Sequence, residues 1–144
     1  MAFRSVTFRW SDAWLMLAIG YVAKKEPAPL AQVVGAADAI QHAILTWEEA
    51  DGGLFRLGKA GYTVIRDGRI GLTVRGQTLL SGLDARMVLD RQDQLAAALK
   101  ALPGNTESPT SARDNGQPEI ISRTEFEVAV KQYVGNPTRT MRGM

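Results

Sequence analysis

Apolar positions along the chain change their spacing several times, and each change marks an expected element. Over residues 3–10 they alternate, with Val6, Phe8 and Trp10 on one side and Thr7 and Arg9 on the other, which predicts a strand. From about Asp12 to Lys24 the pattern turns apolar on nearly every side, through Trp14, Leu15, Leu17, Ile19, Tyr21 and Val22. A helix apolar all round must be buried on several sides, so this is the expected central helix. Ser11 or Asp12 can cap its start by accepting from free backbone N–H groups. Lys24 and Lys25 suit the negative end of its dipole, and Pro27 and Pro29 prevent its continuation.

A second helix is predicted from near Pro29 to about Ile44, with Val33, Ala37, Ile40 and Ile44 on one face. Gly35, Ala36 and Ala37 are small enough to let a neighbouring helix come close. Thr46 and Glu49 have the spacing of a capping box, in which each side chain satisfies an orphan N–H at a helix start. The third helix they open points Ala50, Leu54 and Leu57 inward and stops at Gly61. Thr63–Arg66 and Arg69–Leu72 then read as a hairpin, because Asp67-Gly68 supplies the positive φ values of a tight turn. Thr73 caps a fourth helix carrying Leu79, Leu80, Leu83, Met87, Leu95 and Leu99, with a break near Gly82.

Residues 103–119 are rich in Pro, Gly, Ser, Thr and Asn and nearly devoid of apolar side chains, which predicts a flexible linker. A last helix over 120–135 follows, with Ser122 and Glu125 as a second capping box and Phe126, Val130 and Val134 as its apolar stripe. That stripe is expected to dock on the domain or on a partner subunit. Residues 136–144 are expected to be a disordered tail.

The composition narrows the chemistry. There is no cysteine and only one histidine among 144 residues, so disulfides, thiolate metal sites, cysteine nucleophiles and His-rich metal sites are excluded. Glu48, Glu49 and Asp51 crowd the start of the third helix, where the helix dipole favours acids, and this explains them more simply than metal ligation or acid–base work. His42 stands one turn after Asp38, a solvated helical pair with no third catalytic partner. Gly20, Gly35 and Gly71 fit no phosphate-binding fingerprint. No catalytic residue, metal or cofactor is therefore expected, and the chain is not read as an enzyme. The run Ala13 to Ala23 is shorter than the ~20 apolar residues that span a bilayer, and no small-x-small cleavage pattern follows it. A cytoplasmic protein without membrane contact is the expectation.

Net charge is only +2, but its distribution is uneven: Arg66 and Arg69 flank the hairpin turn, and Arg139 and Arg142 stand near the end. Leu57-Gly58-Lys59-Ala60-Gly61-Tyr62, the Asp67-Gly68 turn and Leu72-Thr73-x-x-Gly76-x-x-Leu79-Leu80 together resemble the winged-helix domains of bacterial MarR- and PadR-type transcriptional regulators. The resemblance covers roughly residues 11–102, and 46–80 carries its distinctive part. It implies a mostly α winged helix-turn-helix fold over 1–102 with a small antiparallel β-hairpin and a C-terminal helical extension. It further implies a dimeric DNA-binding regulator whose third helix and wing meet duplex DNA. Carried over by position, Arg56 and Lys59 on the third helix and Arg66 and Arg69 on the wing are the candidate phosphate contacts. The acids at the leading end of the third helix repel phosphates. They support a second reading, a winged-helix module that binds protein rather than DNA through Trp47, Glu48 and Asp51.

Overall fold

The computed structural model describes residues 7–83, 88–101, 106–108 and 119–135. The chain is mostly helical, with a small three-stranded antiparallel sheet. Strand β1 (Thr7–Arg9) runs directly into helix α1 (Trp10–Val22), which begins two residues earlier than the apolar pattern predicts. Neither Ser11 nor Asp12 is the cap. Both lie inside the helix and are buried, and the Asp12 carboxylate reaches back to accept from the Arg9 backbone N–H at 2.9 Å. Residues 11–19 of α1 are all buried, as the all-round apolar pattern requires.

Two-residue strand β2 (Ala28–Pro29) leads into helix α2 (Leu30–Gln41). The helix ends three residues before the predicted limit because His42 takes a left-handed conformation, φ 57°. Ile44, expected on its apolar face, is left exposed. The Trp14 indole N–H donates to the Ala37 carbonyl at 2.8 Å and ties α1 to α2. Helix α3 (Trp47–Lys59) opens with the predicted capping box: Glu49 N–H donates to Thr46 Oγ1 at 3.1 Å, and Thr46 N–H to Glu49 Oε1 at 2.9 Å. Ala50, Leu54 and Leu57 point into the core.

Strands β3 (Thr63–Arg66) and β4 (Arg69–Leu72) pair in the predicted register, Arg66 opposite Arg69 and Thr63 opposite Leu72. Asp67 (φ 51°) and Gly68 (φ 75°) both sit at positive φ, the requirement of a two-residue type I′ turn. The sheet has a third strand that the pattern does not predict: β2 pairs with β4, giving the order β2-β4-β3. A two-residue strand leaves no periodicity to read, and Pro29 is accommodated because β2 is an edge.

Thr73 caps helix α4 (Val74–Ser81) by accepting from the Gly76 N–H at 3.1 Å. Helix α5 (Val88–Ala101) follows, so the long fourth segment is divided after Gly82. Strand β5 (Thr106–Ser108) lies parallel to β1, Phe8 opposite Glu107, within the segment expected to be linker. That expectation is corrected for these three residues. Thr-Glu-Ser has no apolar side chain, and the pairing is carried by main-chain groups. Residues 103–105 and 109–118 of the expected linker, Met87 and the tail over 136–144 lie outside the described residues.

Helix α6 (Arg123–Gly135) starts with the predicted box, Glu125 N–H to Ser122 Oγ and Ser122 N–H to Glu125 Oε1, both at 3.0 Å. It packs along α2, burying Phe126 and Ala129. A Cβ on Gly35 would lie only 2.8 Å from the Tyr133 ring, so the small α2 surface admits α6 itself. Tyr133 hydroxyl donates to Asp38 at 2.7 Å, and Asp38 is therefore bound to α6 rather than paired with His42. Around α1 the core gathers Leu15, Ile19, Val33, Leu57, Ile70, Leu95 and Leu99. No helix among the described residues is long and apolar enough to cross a membrane.

Candidate nucleic-acid interface

Helix α3 and the β3–β4 hairpin bring together most of the residues singled out in the sequence. Helical spacing puts Ala50, Gly53, Leu54 and Leu57 on the core side of α3 and Glu48, Gly52, Phe55 and Lys59 on the opposite side. Of the latter, Lys59 is exposed, and its ammonium lies 5.6 Å from the centre of the Phe55 ring.

Arg56 is a correction. Its side chain is 1% exposed and grips Asp12, which is fully buried, through two parallel bonds: Nε to Oδ2 at 2.7 Å and Nη2 to Oδ1 at 2.8 Å. A forked guanidinium–carboxylate pair of this kind is strong and directional. The glycines at 52 and 53 make room for it. A Cβ on Gly52 would stand 3.0 Å from Arg56 Nη1, and one on Gly53 would meet Leu15 at 2.6 Å and Asp12 at 3.1 Å. Arg56 is thus a structural cation that fastens α3 to α1 and cannot reach a phosphate in this fold.

Trp47 and Asp51 are corrected in the same way as surface candidates. Trp47 is only 9% exposed, and its indole N–H donates to the Ile121 carbonyl at 3.0 Å. Asp51 is fully buried and its Oδ1 accepts from the backbone N–H groups of Ile120 (2.6 Å) and Ile121 (2.9 Å). The leading end of α3 is therefore occupied by the protein's own C-terminal segment, held by main-chain groups that no side-chain pattern announces. Glu48 stays half-exposed at the rim, 3.8 Å from the guanidinium of Arg123.

Arg66 and Arg69 are both exposed and face each other across the hairpin. The neighbouring pair Ile65 and Ile70 lies on the other face, and Ile70 is buried. Alternation thus turns both arginines away from the core. Among the described residues neither has an ion-pair partner. Like charges directly opposite one another are destabilising in isolation.

Two exposed cations not singled out in the sequence lie near the two ends of α3. Arg75, at the start of α4, lies over Tyr62 at 4.9 Å and packs beside Gly61, next to the end of α3. Arg123 lies over the Trp47 ring at 4.4 Å. Arg75 follows the Thr73 cap closely enough to have been found from the fold; Arg123 is remote in sequence and had no such signal. No group of three or more His, Asp or Glu side chains able to hold a metal occurs among the described residues.

No family model matches the chain, and neither a curated protein nor a solved structure matches it.

Proposed function

We propose that the chain is a winged-helix module that binds duplex DNA through its phosphate backbone and acts as a small transcriptional regulator, with the β3–β4 hairpin as the wing. The order helix, short strand, two helices and hairpin, with sheet order β2-β4-β3, supports the winged-helix assignment. One observation carries the functional reading: Arg66 and Arg69 stand in direct cross-strand register on the outward face of the hairpin. An anionic backbone relieves their mutual repulsion. Exposed Lys59 and Arg75, at the base of the same hairpin, extend the cationic surface toward α3.

The contact is one of position rather than sequence. Phosphate contacts orient a protein on the duplex, whereas base edges must be read by donors and acceptors in the grooves. With Arg56 turned inward, the outer stripe of α3 offers only Glu48, Phe55 and Lys59, a poor set for reading bases. Binding is therefore expected to be weakly sequence-dependent and strongly salt-dependent. The protein-binding alternative loses its main residues, because Trp47 and Asp51 are engaged with residues 120–121.

The test is a fluorescence-anisotropy titration of a generic labelled duplex at low salt, comparing the wild-type chain with Arg66→Ala/Arg69→Ala. Micromolar binding that the double variant largely removes is the expected result. No binding by the folded wild-type chain overturns the reading.

A further inference from the structure

The outer stripe of α3 lacks an arginine, yet the structure places one at its leading end from elsewhere in the chain. Arg123 is the first residue of α6, and its guanidinium sits 4.4 Å over the Trp47 ring and 3.8 Å from the Glu48 carboxylate. Its backbone is not loosely placed. Just before it, Asp51 accepts the N–H groups of Ile120 and Ile121, Trp47 donates to the Ile121 carbonyl, and Ser122 and Glu125 cap the helix. Trp47 and Asp51 thus form a cradle whose effect is to hold Arg123 beside α3.

The side chain itself remains available. It is 59% exposed, and Glu48, at 45%, is a distant and solvated partner. Such pairs are weak, being screened by water and salt. Arginine over an aromatic ring keeps the edge of its fork free to bind a phosphate oxygen.

We infer that Arg123 supplies the phosphate contact at the leading end of α3, the place where the sequence offers only acids, and that Glu48 competes for it. The inference rests on the DNA-binding reading above. The segment that carries Arg123 then contributes to binding at the junction of α3 and α6.

The experiment measures duplex affinity and its salt dependence for four full-length proteins: wild type, Arg123→Ala, Glu48→Gln and the double variant. Arg123→Ala is expected to weaken binding by about three- to tenfold at low salt and to reduce the slope of log K against log salt by about one. Glu48→Gln is expected to tighten binding in the wild-type background and to do so much less when Arg123 is absent. Unfolding curves of the four proteins establish that each is folded at the assay temperature. Unchanged affinity in Arg123→Ala overturns the inference. So does equal tightening by Glu48→Gln in both backgrounds, because that is a general charge effect not routed through Arg123. If Arg66→Ala/Arg69→Ala largely removes binding while Arg123→Ala leaves affinity and slope unchanged, the inference fails and the DNA reading stands. If the wild type binds no DNA, both fall.

Discussion

Replacing Arg56 by methionine tests whether this residue belongs to the fold or to the binding surface. Methionine keeps a long unbranched side chain but removes the guanidinium, leaving the fully buried Asp12 carboxylate with the Arg9 backbone N–H as its remaining partner. Stripping one member from a buried ion pair costs about 3–5 kcal/mol, most of it the burden of an uncompensated charge. That is a large part of the ~5–15 kcal/mol that holds a typical domain folded. With a urea dependence of about 2 kcal/mol per molar, the unfolding midpoint followed by circular dichroism is expected to fall by about 2 M. Asp12→Ala strands the guanidinium instead and is expected to cost a similar amount. The double variant Asp12→Ala/Arg56→Met removes both charges, and it is expected to be more stable than the summed single losses predict by about 2–3 kcal/mol. A loss within about 0.5 kcal/mol for Arg56→Met, the range of an ordinary surface substitution, would refute the reasoning. Strict additivity would do the same. Either result returns Arg56 to the surface and makes it a DNA-contact candidate again.

Two other positions probe how the parts are joined. Asp51→Ala removes the acceptor of two backbone N–H groups and is expected to destabilise the chain by about 1.5–3 kcal/mol in the same urea assay, with increased proteolysis around residues 119–125; wild-type stability and protection would show that the C-terminal segment is held without Asp51. Gly76→Ala would drive a Cβ into the Tyr62 carbonyl, which already accepts from Thr73 N–H at 3.0 Å, and this is rigid backbone. It is expected to cost about 1–3 kcal/mol, lowering the melting temperature, whereas an unchanged melting temperature contradicts the close packing of α4 on that turn.

What could be read from the sequence follows the range of the interactions. Caps and turns depend on residues three or four apart, so Thr46/Glu49, Ser122/Glu125, Thr73 and Asp67-Gly68 all form as expected. The all-round apolar character of α1 likewise announces its burial. Strands β2 and β5 were not legible, since two or three residues carry no periodicity and their pairing depends on distant main-chain partners. The site was legible only in part. Arg66 and Arg69 are exposed because alternation in a hairpin is local. Arg56, Trp47 and Asp51 look like surface residues by composition and spacing, and their burial is decided by partners 44, 74 and 69 or 70 residues away. Gly52 and Gly53 are the space that the Arg56–Asp12 pair occupies.

The central claim is that the outward arginines of the hairpin bind duplex phosphates, and the dependence of affinity on salt tests it most directly. Each phosphate neutralised contributes about −0.9 to the slope of log K against log salt. The wild-type chain is predicted to bind a generic duplex with a steep negative slope, and Arg66→Ala/Arg69→Ala is predicted to reduce that slope by about two. A wild-type chain that binds no duplex at low salt, or a double variant with undiminished affinity and slope, would contradict it.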